Sequence, residues 1–329
     1  MNRSHHFVRI LIIVAVLLGV ANAAHAQAPT QWPARPIRLV VPFSPGGAVD
    51  VLARPLAQKL SEMLGQTVVV ENRPGSNGTI GFNSIAKSPP DGYSLLIGTM
   101  NNYIVHFFSK DVPYDAIKDL VPITDIAYAP ALVVVNPSVP ASSMRELVDY
   151  GKKNPGKLFF GTIGVGSNQH LGGILLSQLT GVEVTHVAYK GGSSALVDVL
   201  SGQIPMAILT ASTVLPHVRQ GKLRALGVIE GKRMNSDPGI PTVRETLPGF
   251  NMPDLWFGVM APAGLPRPIL DRLNTAIRQI ANSPEFKTQM EGLGFTITPG
   301  RSSEEFLAAI KADSAVFQKI ITTAKIVPE

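Results

Sequence analysis

Two short glycine stretches carry most of the chemistry this sequence could support. The first is Phe43-Ser44-Pro45-Gly46-Gly47-Ala48, and the second is Gly161-Thr162-Ile163-Gly164-Val165-Gly166-Ser167. Each follows an apolar run and precedes a helical pattern. The first amides of a helix have no intrahelical partner, and the helix start carries a partial positive charge. Small residues in front of such a start therefore open an anion site that needs no cationic side chain. A tight turn explains glycine at these places equally well.

The side chains around the loops leave several roles open. Ser167 either caps its helix, the commoner duty, or gives its hydroxyl to a ligand. His170 falls in the first turn of the second helix, where it faces a cleft or merely packs. Lys190 pairs with a ligand or stays solvated. Asp50 suits a structural duty, because a carboxylate in a first helical turn favours the dipole.

Enzyme chemistry finds little support. The chain has no cysteine and no Gly-x-Ser-x-Gly elbow. His106, His170, His186 and His217 lie far apart in sequence and lack metal-ligand spacing, so no metal and no cofactor is expected. Gly164-x-Gly166-x-x-Gln169 resembles a dinucleotide fingerprint but lacks the third glycine that lets helix and strand pack closely. An exported α/β enzyme using His170 as base stays as an alternative, though no nucleophile or cofactor accompanies it.

The elements that must position the loops can be read in order. Ile37 to Val41 reads as a buried strand, and Leu52, Leu56, Leu60 and Leu64 mark one face of the helix after the first loop. Strands over 66–71 and 93–98, with a short helix ending at Ala86 between them, predict a parallel sheet covered on both faces. Ile123 to Val135 reads as extended chain crossing into a second unit. There Ser143 and Glu146 predict a capping box, 157–160 a strand, and Gly181 the end of the helix carrying Leu171 and Leu175. Further strands are expected at 184–187, 204–209 and 223–228, with helices over 194–200 and 214–220. The chain then returns through an extended stretch over 253–260, and three helices follow, the last capped by Ser302 and Glu305. A double crossing predicts a two-lobed clamshell, with 27–127 and 252–329 as lobe 1 and 128–251 as lobe 2. If the lobes face one another, both glycine loops point at one cleft.

Composition sets the surroundings. Arg3 and Arg9 ahead of an apolar core, then Ala24-His25-Ala26, predict a signal peptide over residues 1–26, cleaved near Ala26. Of the formal charge of +6 over 329 residues, the predicted leader holds Arg3 and Arg9 and no acid, which leaves +4 on the mature chain. Its basic residues are scattered, which argues against nucleic acid. No later apolar stretch is long enough to span a membrane.

A set of motifs recurs in order along the chain: Pro42-Phe43-x-x-Gly46-Gly47-x-x-Asp50-x-x-Ala53-Arg54, Asn72-Arg73-Pro74-Gly75, Pro90-Asp91-Gly92-Tyr93, Gly164-Val165-Gly166-Ser167-x-x-His170-Leu171, Tyr189-Lys190-Gly191 and Pro241-Thr242-Val243. This set closely resembles the Bug (Bordetella uptake gene) family, the solute-binding components of tripartite tricarboxylate transporters. The resemblance implies an α/β periplasmic clamshell of the type II class that is not an enzyme. It implies a monomer that binds a carboxylate largely through loop amides and water, and hands it to a two-subunit inner-membrane permease. A sensing subunit of a signalling system is the alternative use of the same fold. Carried over by motif, the expected ligand contacts are Phe43, Ser44, Pro45, Gly46, Gly47, Ala48, Gly164, Val165, Gly166, Ser167 and His170, with Asn101, Thr162 and Lys190 beside them. Thr99 to Asn102 and Thr210 to Ser212 would meet the distal part of the ligand. Pro205 and Leu209 stand where family members often carry Asp, which points to a ligand without an amino group. Pro55, inside the first helix, should bend it.

Overall fold

Apolar runs of five residues followed by glycine loops give this chain two sheets, each built on βαβ units. The computed structural model describes residues 32–323. Two units are distinguished, residues 1–34 and residues 35–329. Of the first, Trp32 to Ala34 are described, with a cis Trp32–Pro33 peptide. The predicted signal peptide lies outside the described residues. All that follows concerns the second unit.

Strand β1 (Ile37–Val41) leads to helix α1 (Ala48–Leu64), strand β2 (Val68–Asn72), helix α2 (Thr79–Ala86) and strand β3 (Ser94–Thr99). A short helix α3 (Asn101–Ile104) and strand β4 (Leu120–Tyr128) come next. Pro55 lies inside α1 and does not end it. Only two residues separate β4 from β5 (Ala131–Val135), and β5 belongs to the second sheet. That sheet continues through α4 (Met144–Lys153), β6 (Leu158–Thr162), α5 (Asn168–Thr180), β7 (Val184–Ala188) and α6 (Gly192–Ser201). Strand β8 (Met206–Thr210), α7 (Ala211–Arg219), β9 (Arg224–Val228) and α8 (Val243–Thr246) complete it. The chain then re-enters the first sheet as β10 (Trp256–Pro262), followed by α9 (Arg267–Asn282), α10 (Pro284–Gly292), β11 (Thr296–Ile297) and α11 (Ser303–Thr323).

The strand orders are β11-β4-β10-β3-β1-β2 and β7-β6-β8-β5-β9. Each sheet keeps a parallel trio, β2-β1-β3 in one and β7-β6-β8 in the other. The antiparallel pairings come from β10 and β5, the strands that arrive from the other sheet, and from the short β11. A strand entering by crossover need not run with the trio, and so both sheets are mixed at that side.

Strand β10 is buried along its whole length and centres the first core. Trp256 is 0% exposed, with its ring 4.9 Å from Phe306 and 5.6 Å from Tyr103. The second core packs Leu132, Val134, Ala207 and Leu209 against Ala195 and Val199 of α6. The caps follow sequence with one correction. Ser143 accepts from the amide of Glu146, but the Glu146 carboxylate closes onto the amide and hydroxyl of Ser142, one residue earlier than a capping box requires.

Candidate functional site

The first glycine loop is shaped by Asp50. This buried carboxylate accepts from the Gly46 amide at 2.9 Å, from Arg54 Nε at 2.8 Å and Nη2 at 2.9 Å, and from Asn72 Nδ2 at 2.9 Å. Burial by itself would raise its pKa, but the bonds from Arg54, Gly46 and Asn72 outweigh this and hold it below its ordinary value. Gly46 has φ +77°, a left-handed turn that suits glycine, and Gly47 is the N-cap of α1. The Gly46 amide is therefore spent inside the loop. The first-turn amides of Ala48 and Val49 remain for a ligand.

The second loop is closed by its own side chains. Ser167 is fully buried; its hydroxyl donates to the Gly164 carbonyl at 2.8 Å and accepts from the His170 amide at 3.1 Å. These bonds make it the N-cap of α5. Thr162 Oγ1 lies 2.6 Å from His186 Nε2, and the Gly166 amide donates to His170 Nδ1 at 3.2 Å. The two imidazoles stack with centroids 4.0 Å apart, beside Phe160. Burial pushes the pKa of His170 down to about 4 and that of His186 down to about 3, the latter helped by its neighbour. Both rings are neutral near pH 7.

Acid should therefore unfold the protein through this pair. The unfolded chain takes up these protons below the ordinary value of 6.5, whereas the folded chain resists down to about 4 and about 3. The pair's own contribution to stability is full above pH 6.5 and lost as pH falls below it, by up to about 1.4 kcal/mol per pH unit for each ring. In urea titrations the parent should lose about 2 kcal/mol more than His186→Gln between about pH 7 and about pH 5, a difference in which every other group titrating there cancels. An unchanged slope in the variant would show that the pair is not buried as described.

A third helix start joins these two. The loop Tyr189-Lys190-Gly191-Gly192 follows β7 and opens α6, and it leans on the first glycine loop. Ser44 Oγ donates to the Lys190 carbonyl at 3.4 Å, and a Cβ on Gly191 would lie 2.9 Å from the Ser44 nitrogen. On the other side of the contact, the Asn168 amide donates to Asn101 Oδ1 at 2.7 Å. Gly166, at φ +77°, approaches Phe108 so closely that a Cβ would meet the ring at 2.9 Å. Glycine in these loops thus serves the close approach of the two sheets' loops as well as the turns.

Between the loops lies a cavity of about 20 Å³. The first-sheet side supplies Phe43, Gly47, Ala48, Val49, Thr99, Asn101, Leu255 and Phe257. The second-sheet side supplies Ile163, Gln169, Gly192, Thr210 and Thr213. Both sides meet it at the carboxyl ends of parallel strands, where open α/β sheets place their ligands. None of these lining residues is ionisable.

Of the expected contacts, the structure brings Phe43, Gly47, Ala48 and Asn101 to this cavity. Ser44 bridges the two loops, Pro45 and Gly46 are exposed, and so is Lys190. Thr162, Gly164, Gly166, Ser167 and His170 build the second loop from within, while Val165 is exposed at its tip. Thr99 and Thr210 also line the cavity. Pro205 and Leu209 do not belong to the site. Leu209 faces the second core, and the Pro205 carbonyl accepts from the Asn136 amide just before β8, at the end opposite Thr210. The argument against an amino group therefore moves to the lining itself, which offers no carboxylate.

Sequence reading missed Val49, Ile163, Gln169, Gly192, Thr213, Leu255 and Phe257. Gly192 carried a usable signal, because it repeats the pattern of strand, glycine pair and helix. Leu255 and Phe257 carried none, since only the insertion of β10 beside β3 brings them here. Among the described residues, no group of three or more His, Cys, Asp or Glu is placed to hold a metal ion.

Two α/β sheets with mixed edges, two chain passages between them and a cavity at the strand ends define a solute-binding protein of the periplasmic class. The chain belongs to the tripartite tricarboxylate transporter receptor family, TctC, whose sequence profile matches residues 52–325. The periplasmic binding protein BugD is 31% identical over 91% of this chain and 100% of its own, with a TM-score of 0.86. Rpa4515 of R. palustris, solved with adipate, is 35% identical over 91% of this chain and 100% of its own, with a TM-score of 0.86. MatC of Rhodopseudomonas palustris, solved with bound malate, is 27% identical over 88% of this chain and 100% of its own, with a TM-score of 0.81.

Proposed function

We propose that this protein captures a small carboxylate without an ammonium group between two lobes, 27–127 with 252–329 and 128–251, and delivers it to a two-subunit inner-membrane permease. The carrying observation is that three helix starts, those of α1, α5 and α6, converge on a cavity lined by no ionisable side chain. Such a site holds an anion by amides and helix ends. It gives an ammonium no counter-charge, and a buried unpaired charge is costly. The adipate and malate in related structures agree with an anionic ligand. Export by a leader over residues 1–26 would place the mature chain in the periplasm.

At about 20 Å³ the cavity has room for about one water, so a carboxylate is admitted only as the lobes part. Thermal denaturation with mono-, di- and tricarboxylates tests the reading, since a ligand at ~100 times its Kd adds about 2.7 kcal/mol. A carboxylate should raise the midpoint. Lys190→Met should weaken its binding less than about fivefold, because the Lys190 side chain is exposed and not among the lining residues. Loss of binding in that variant would replace the amide cradle with a side-chain ion pair.

A further inference from the structure

We propose that the cavity selects a carboxylate bearing a hydroxyl group, and that Gln169 and Asn101 read that hydroxyl. The inference rests on the carboxylate reading above and names the ligand class more narrowly. Two carboxamides line the cavity, and both residues are 0% exposed. Asn101 spends Oδ1 on the Asn168 amide at 2.7 Å, which leaves Nδ2, a donor, without a partner among the described residues. Gln169 spends Nε2 on Thr210 Oγ1 at 3.5 Å, which leaves Oε1, an acceptor, without a partner among the described residues.

The two orphans ask for different things. A carboxylate only accepts, so it satisfies Asn101 Nδ2 and the helix amides but does nothing for Gln169 Oε1. A buried acceptor left unmatched costs its desolvation. A hydroxyl both donates and accepts, as a water does, and so serves Gln169 Oε1 while still accepting from Asn101 Nδ2 or a threonine hydroxyl. The cavity volume of about 20 Å³ is that of about one water, the group a ligand hydroxyl would replace. An ammonium would also donate to Gln169, but its full charge meets no carboxylate in the lining.

Calorimetry on matched ligands tests this: succinate, malate and aspartate; glutarate, 2-hydroxyglutarate and glutamate; adipate and 3-hydroxyadipate. In the series that binds, the hydroxy acid should bind about tenfold tighter than the unsubstituted acid, and the amino acid weaker than either. In Gln169→Met the hydroxy acid and the unsubstituted acid should bind within about twofold of one another, the hydroxyl preference being erased whatever the variant does to carboxylate affinity as a whole. Equal or tighter binding of the unsubstituted acid, or of the amino acid, overturns the proposal while leaving carboxylate capture intact. A hydroxyl preference that survives in Gln169→Met overturns the role of that residue. Failure of every carboxylate to bind overturns both the proposal and the function it rests on.

Discussion

Gly47→Asp should fold as the parent does and lose carboxylate binding by about a hundredfold or more. The fold should survive because Gly47 sits at φ −77° and ψ 170°, a conformation open to any residue. An added Cβ there would meet the Ser44 carbonyl at 3.4 Å and the Gly192 nitrogen at 3.8 Å, which are ordinary contacts. Aspartate is also a better helix N-cap than glycine, by a few tenths of a kcal/mol. Binding should fail for the same reason that the fold holds. A carboxylate at the N-cap turns back onto the first-turn amides of α1, the donors argued to receive the ligand, and repels a second anion beside them. Charge-assisted hydrogen bonds contribute about 1.5–3 kcal/mol each, so losing one or two accounts for a factor of about a hundred. Circular dichroism and a denaturation midpoint check the fold, and calorimetry checks the affinity. Gly47→Ala, which adds the Cβ without the charge, should bind within about tenfold of the parent. A folded Gly47→Asp that binds as the parent does would remove the α1 amides from the site.

The units that make this site were legible wherever their cause is local. An apolar run, small residues and a cap specify strand, loop and helix within about a dozen positions, and both glycine loops were found that way. Ser167 could not be read as a cap from sequence alone, because capping and ligand binding use the same hydroxyl; its bonds to Gly164 and His170 show the cap. Leu209 was misplaced although a signal existed. Side chains alternate along a strand, so with Thr210 at the cavity Leu209 must face the opposite side of β8. The Thr242–Glu245 capping box was overlooked although Thr242 stands in a motif quoted for another purpose. The stack of His170 on His186 had no local cause at all. One residue is on α5 and the other on β7, and only their packing beside β6 brings the rings together. Pairing order is non-local in the same way, and it delivers Leu255 and Phe257 to the cavity.

Glu230→Gln should stabilise the protein near pH 7 by about 2–3 kcal/mol and flatten its pH dependence toward alkali. Glu230 lies just past β9, bridged to Met252 where the chain passes back toward the first sheet, and is 3% exposed. Its carboxyl accepts from the Ala131 amide at 2.9 Å and from Asn168 Nδ2 at 3.4 Å, both neutral donors. Lys232, Arg233, Asp254 and Glu291 share the adjoining cavity of about 580 Å³, and Arg233 is closed onto Glu245. Burial is the largest influence and pushes the carboxyl up to about 8; the Ala131 amide opposes the rise and Asp254 adds to it. Near pH 7 the folded chain therefore holds a proton that the unfolded chain has lost. For a raised carboxyl the sign is unfavourable: stability falls as pH climbs from the ordinary 4.5 to about 8 and levels off beyond. At about 1.4 kcal/mol per pH unit, close to 3 kcal/mol is lost by pH 7. Glutamine carries no charge and keeps an acceptor for Ala131, and once the Asn168 carboxamide turns over, the glutamine amide donates to Asn168 Oδ1, which has no partner among the described residues. Urea titrations of both proteins at about pH 5, 7 and 8.5 separate this effect from the histidine pair, whose loss occurs below pH 6.5 and is common to both. The two stabilities should nearly meet at the acid end and diverge as pH rises. If the variant is instead the weaker protein at pH 7, Glu230 is ionised in the folded state, and its charge is held by one of the cations of that cavity.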